Sequence, residues 1–319
     1  LAYLSAVIED YADEWVNKAM FHYRWTYLDD QRSAAERIVQ MMYPQGGPEG
    51  AVEVIRERMS SRLHHVGSSP DTLAIIESSF QRMARLIEAH LQSRPYLFGQ
   101  RPALADFGLA AQVGQLLSDP TPGAFLRAEA PQTAAWVARM DEASVAGPFE
   151  PLDDLWPTLK PLFSEEIGAL YLPWSVANYA AAKAEGEFRV DLPGGAFIQA
   201  PQKYAAKALT DLRRKRAAVV SNEALTALLA QTGCDEALAP LAPFEGRQGF
   251  KQAEASNEPE QDDRSGDDRA GDDRAGDDRG GDDREEYDRE GDEPAVTAEV
   301  AAPEPSLEVE PGTPVDPNP

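Results

Sequence analysis

Pro95-Tyr-Leu-Phe-Gly-Gln-Arg-Pro-Ala-Leu-Ala-Asp106, continuing as Phe-Gly-Leu-Ala-Ala-Gln-Val-Gly-Gln-Leu-Leu117, is the stretch around which the chain is organised. It predicts the end of one helix, an apolar crossing and the start of a buried helix. Ser93, Arg94 and Pro95 break the stripe that Leu91 closes. Tyr96, Leu97 and Phe98 are too apolar for a free loop, so the crossing is expected to lie against the core. Gly99 permits a sharp bend, and Pro102 suits the approach to a helix start. Asp106 sits about one turn inside, where a carboxylate accepts from orphan backbone amides and meets the positive end of the helix dipole. Asp106 is therefore a structural capping residue, not a chemical one.

Upstream, residues 1–28 read as one helix. Leu4, Ile8, Tyr11, Trp15, Ala19 and His22 recur at spacings of three and four. Residues 30–43 and 51–66 predict two further helices, the second with Val52, Ile55, Met59 and Leu63 inward. From Pro70, the positions Leu73, Ile76, Phe80, Met83, Ile87 and Leu91 make the cleanest apolar stripe in the chain. Beyond the crossing, residues 104–118 carry Leu104, Phe107, Ala111, Val113, Leu116 and Leu117 with little charge, so they should form the central, most buried helix. Asp119-Pro-Thr-Pro-Gly123 reads as a break, followed by short helices over 124–130 and 132–143.

Around Gly147-Pro148 a first unit, 1–147, should end. Residues 152–171 and 174–184 keep helical spacing despite Pro157 and Pro161. Glu187–Leu192 and Ala196–Gln199 alternate about a Pro193-Gly-Gly195 turn, a hairpin signal over 187–199. Helices over 201–220 and 222–232, with Gly233 as C-cap, complete an extension of 148–244.

The last segment, 245–319, differs in kind. It repeats Gly-Asp-Asp-Arg with a period of five and carries 25 of the 55 acidic residues but eight of the 30 basic ones. With almost no apolar residues it is expected to be a disordered acidic tail. Its Asp-Asp pairs lack the spacing and the twelfth-position Glu of a calcium loop. The rest is mildly acidic, with no basic face for nucleic acid or an anionic membrane. No apolar run reaches the length of a membrane span. One cysteine, Cys234, excludes an internal disulfide and suits the cytoplasm.

"PYLFGQRPALADFGLAAQ", residues 95–112, resembles the C-terminal domain of glutathione S-transferases, in which a Ser/Thr-x-x-Asp capping box follows an aromatic–Gly crossing. Ala103 stands where that family has its capping hydroxyl. "EDYADEWVNKAMFHYRW", residues 9–25, is similar to the first helix of that domain in a bacterial branch of the family, and the hairpin-plus-helix extension also looks like one found there. The resemblance implies an all-α glutathione transferase C-terminal-type bundle. It also implies a preceding thioredoxin-like domain that holds glutathione, the co-substrate, and activates its thiol with a Ser, Tyr or Cys. The chain opens at Leu1 inside a helical pattern, so it reads as a fragment without that domain. No catalytic residue carries over, and this piece alone should be inactive and bind no cofactor.

What carries over is the half that shapes the pocket for a small electrophile. In the family the first helix of this domain faces the cleft, which nominates Tyr11, Trp15, His22 and Arg24 as substrate-binding residues. Each has a plainer role open to it: Tyr11 and Trp15 as core, His22 as a satisfied core histidine, and Arg24 paired with Asp29 or Asp30. The resemblance also allows a homodimer. The alternative to the enzyme is a non-enzymatic relative that keeps the fold as a binding or assembly module. A further option makes the tail a solubilising or partner-binding arm. Cys234 reads as incidental, His64-His65 as too few ligands for a metal, and Arg213–Arg216 as a solvated face.

Overall fold

Helix formation begins at the second residue and does not pause for twenty-five. α1 (Ala2–Tyr11) passes through a π-helical turn (Ala12–Val16) into α2 (Asn17–Thr26). In that turn the amide of Asn17 reaches back five residues to the carbonyl of Ala12. Such a bulge shifts the helix face, and Tyr11, Trp15, Lys18, Ala19 and His22 are all buried. The computed structural model describes residues 1–182 and 186–240. These lie within one compact unit, Leu1–Gly249; the expected acidic tail, 245–319, lies outside the described residues.

Next come α3 (Leu28–Met42), α4 (Ala51–Ser60), a 3-10 turn (Leu63–Val66) and α5 (Leu73–Leu91). The α5 stripe is buried from Ile76 to Leu91. The crossing is built as a small frame: Tyr96 and Gly99 exchange backbone hydrogen bonds, and the amide of Glu150 donates to the Phe98 carbonyl at 2.9 Å. Gly99 takes φ +123°, and a Cβ there would meet the Glu150 nitrogen at 2.7 Å. Only glycine fits both demands.

α6 (Leu104–Ser118) starts from Ala103, whose methyl group cannot accept a hydrogen bond. Asp106 does the capping alone: Oδ2 accepts from the Ala103 amide at 2.8 Å, and Oδ1 accepts from the Leu97 amide at 2.8 Å and Trp136 Nε1 at 3.0 Å. Burial pushes the Asp106 carboxyl above its ordinary range, opposed by these same donors.

Three expectations are corrected here. The inner face of α6 is Ala105, Leu109, Ala110, Val113 and Leu116, while Leu104 and Phe107 are half exposed, at 53% and 50%, and Ala111 is exposed. An almost uniformly apolar helix carries no periodic signal to say which face is inward. The stretch Asp119–Gly123 does not break the chain but opens α7 (Pro120–Glu129), since proline is tolerated in a first helical turn. Arg24 pairs with neither Asp29 nor Asp30: its Nε meets Asp119 Oδ2 at 2.8 Å, and Arg37 holds the other oxygen. Asp30 instead accepts from the Thr121 amide at 2.8 Å and its hydroxyl at 2.5 Å, and so caps α7 from another helix.

After α8 (Pro131–Met140), one unbroken helix replaces the two expected. α9 (Leu152–Pro161), a ten-residue π-helical segment (Leu162–Tyr171) and α10 (Leu172–Ala181) run end to end. The hairpin pairs β1 (Phe188–Leu192) with β2 (Gly195–Gln199), Phe188 opposite Gln199 and Leu192 opposite Gly195. α11 (Lys203–Ala217) and α12 (Glu223–Gln231) follow; Asn222 Oδ1 caps α12, accepting from the Leu225 amide at 2.9 Å. At its far end the Gly233 and Cys234 amides return to the Ala230 and Leu229 carbonyls. The Arg213–Arg216 run is not simply solvated: Arg216 is buried and donates to the Val219 carbonyl and Thr226 hydroxyl. The main apolar cluster runs from Tyr3 to Leu238, so residues on either side of Gly147 share one core, and Trp25, Ala34 and Ala35 form a small second cluster. No helix among the described residues is long and apolar enough to cross a membrane.

Candidate functional site

The four residues nominated on the first helix do not converge on an open cleft among the described residues. Tyr11 is fully buried and donates to Glu166 Oε2 at 3.0 Å. Trp15 Nε1 donates to Ser79 Oγ at 2.9 Å, and the Ser79 hydroxyl donates in turn to Glu166 at 2.5 Å. The void beside Tyr11 and Trp15 is about 10 Å³, room for one water at most. His22 lies between Ser68 Oγ (2.8 Å) and Glu77 Oε1 (3.1 Å), and burial holds its pKa below the usual value against the pull of Glu77. Arg24 is tied to Asp119 at the opposite end of the helix from Tyr11.

Their face is covered by residues that follow Gly147 in the chain. Glu166, from the π-helical segment, takes three donors: Tyr11, Ser79 and Arg82 Nε, the last at 2.6 Å. Burial nonetheless raises its pKa to about 7. Trp174 and Phe197 pack against Trp15 with tilted rings, their centroids 5.8 and 5.5 Å away. Lys18, one turn further along, was not nominated from sequence. Its Nζ donates to Gln199 Oε1 at 3.1 Å and sits 3.9 Å from the centre of the Trp174 ring. Burial lowers its pKa to about 7, and Glu14 pulls the other way. In the sequence Lys18 stands three residues after Trp15 and four before His22, on the inner stripe by spacing, but a lysine there reads as a charge that reaches back to solvent.

An open concavity lies elsewhere. α1, the 95–103 crossing, α6 and the segment around Phe149 enclose a recess of about 610 Å³, within the size range of small-molecule sites. Leu1, Phe98, Leu104, Phe107 and Phe149 form its apolar walls, and Arg101 is its one charged lining residue. Leu1 and Phe149 are exposed, as are Leu104 and Phe107. Leu104 and Phe107 share a face of α6, but in so apolar a helix nothing in the sequence says that this face, and not that of Leu109 and Val113, is outward.

Cys234 is buried, its pKa pushed up to about 11, which leaves an inert thiol. The His64 and His65 rings lie tilted against each other, centroids 4.1 Å apart. Among the described residues no group of three or more His, Cys, Asp or Glu is placed to hold a metal.

Comparison with protein families matches residues 55–139 to the glutathione S-transferase C-terminal domain. That match runs from α4 through the crossing and α6 to the end of α8. Comparison with curated proteins and with solved structures yields no match. The mostly helical fold, the Asp106-capped α6 and the family match agree, and the chain carries a domain of the glutathione S-transferase C-terminal type.

Proposed function

We propose that this chain is the electrophile-side half of a glutathione transferase-type enzyme, with the recess between α1 and α6 forming the apolar wall of the substrate pocket. The observation that carries the reading is that recess: half-exposed Leu104 and Phe107 on the central helix of a transferase-type domain. Glutathione is the co-substrate, held and activated by a thioredoxin-like domain. Among the described residues the only sheet is the two-stranded hairpin, too little for such a domain. Residues 148–244 act as an extension that covers the buried side of the first helix, and residues 1–147 as the family domain. A homodimer and a cytoplasmic location complete the reading, the latter supported by the single, unpaired cysteine.

A second reading, a non-enzymatic binding or assembly module, is favoured by one observation. Glu166, Trp174 and Gln199 of the extension occupy the partners of Tyr11, Trp15 and Lys18 that a substrate would need. Calorimetric titration of glutathione separates the two readings. It is run on this chain and on a longer product that includes the thioredoxin-like domain the enzyme requires. Binding by the longer product alone, followed by conjugation of an aryl halide, supports the transferase. Absence of binding in both leaves the module.

A further inference from the structure

A second recess, of about 400 Å³, opens between α10, α11 and the chain just past α12. Leu172, Pro173 and Val176 form its apolar wall, and Arg213 and Glu236 line it with opposite charges. The two charges do not meet, and neither forms an ion pair among the described residues. Asp211, the carboxylate nearest to Arg213 in sequence, is taken by Arg214 at 3.2 Å and Lys215 at 2.7 Å. Arg213 itself is held in place. Its Nε donates to the Ala237 carbonyl at 2.9 Å, and its guanidinium lies 5.1 Å from the centre of the Tyr179 ring. These contacts fix the plane of the fork, while its two Nη groups make no hydrogen bond among the described residues. At Gly233, with φ +70°, an added Cβ would meet nothing within 4 Å, so that side of the recess stands open.

We infer that this recess binds zwitterionic α-amino acids with an apolar side chain, the carboxylate on Arg213, the ammonium on Glu236 and the side chain on Leu172, Pro173 and Val176. Charge decides the class. A carboxylate alone would pair with Arg213 but be repelled by Glu236, and an amine alone would meet the reverse. A neutral ligand would desolvate both charges without replacing their water. A ligand carrying both signs satisfies each, and the Arg213 fork can receive its carboxylate through two parallel hydrogen bonds. The volume lies within the range of small-molecule sites. The inference goes beyond the transferase reading and is independent of it, since no residue of the recess between α1 and α6 takes part.

The test is an NMR titration of the nitrogen-15-labelled full chain with L-leucine, 4-methylpentanoate and 3-methylbutan-1-amine. The second lacks only the ammonium of the first, and the third only its carboxylate. Leucine should bind more tightly than either, by about tenfold, and should move the amide signals of Gly233, Glu236 and Ala237. Arg213→Gln should bring leucine down to the level of the amine, and Arg213→Lys should restore part of the loss. Glu236→Gln should bring leucine down to the level of 4-methylpentanoate. Because Glu236 is exposed and unpaired among the described residues, that variant keeps the fold and the test stands even if Arg213→Gln loosens the Ala237 contact. Glycine, which has no apolar body, should bind more weakly than leucine. Equal affinities for the three ligands, leucine binding unchanged by Glu236→Gln, shifts confined to other parts of the chain, or no binding of leucine overturns the proposal.

Discussion

Lys18 on the first helix donates to Gln199 on the hairpin, Nζ to Oε1, across 3.1 Å of buried space. Gln199 Oε1 also accepts from Trp174 Nε1 at 3.2 Å, and its amide donates to the His65 carbonyl at 2.6 Å. One side chain thus binds the extension to the first helix, to α10 and to the 3-10 turn. No carboxylate lies within ion-pair distance of the ammonium among the described residues; Glu14 acts on it only at longer range.

The pH dependence of stability follows from that burial. With a folded pKa of about 7 and an ordinary value of 10.5, the unfolded chain holds a proton on Lys18 through a window in which the folded chain does not. Stability should therefore rise from pH 7 towards pH 10, by up to about 1.4 kcal/mol per unit. Lys18→Met should flatten the rise. Urea midpoints of the two proteins across that range check it, and parallel curves would show that Lys18 titrates normally.

Asp10 shifts the other way. Burial raises its pKa to about 7, against the hydrogen bond from Tyr171. Its contribution is present below the ordinary carboxylate range and is lost as pH climbs towards 7. Asp10→Asn should remove part of the decline in stability between pH 4 and pH 7, read from the same urea midpoints.

Glu166 joins three helices through Tyr11, Ser79 and Arg82. Glu166→Ala strips the acceptor from two buried hydroxyls and a partly exposed guanidinium, and should cost about 3 kcal/mol. Arg82→Ala leaves the carboxyl its two hydroxyl donors and should cost less. If the order is reversed, Arg82 rather than Glu166 organises the cluster.

Gly168 offers a test by sign. A glycine inside a helix is normally improved by alanine, by about 1 kcal/mol. Here an added Cβ would lie 2.1 Å from the Thr232 carbonyl oxygen and 3.0 Å from that of Phe163. Gly168→Ala should destabilise by about 2 kcal/mol as the end of α12 is pushed away. A gain on thermal melting would mean that the packing between them is loose.

Ala103 leaves the opposite opportunity. Its backbone already has the extended geometry of an N-cap, φ −111° and ψ 176°. Ala103→Ser should add about 1 kcal/mol, and Asp106→Ala should remove about 3 kcal/mol by orphaning the Leu97, Ala103 and Trp136 donors. Chemical denaturation of both variants measures the pair.

By itself the sequence determined most helices, the hairpin and the crossing, because period, turn chemistry and capping are local; it misplaced the start of α7 and split the continuous helix from Leu152 to Ala181. The stripe from Leu73 to Leu91, the turn at Pro193-Gly194 and the Asp106 cap need no distant residue to be read. Tertiary structure alone decided which faces meet. Leu104 and Phe107 look like core in an evenly apolar helix, yet they lie outward because small Ala105 and Ala110 turn the opposite face of α6 into the core. Lys18 looks like a surface residue, yet it is buried because residues about 180 positions away fold back over it. Arg24 chose Asp119 over its near neighbours for the same reason: a long side chain pairs with whatever carboxylate the packing of other helices brings to it.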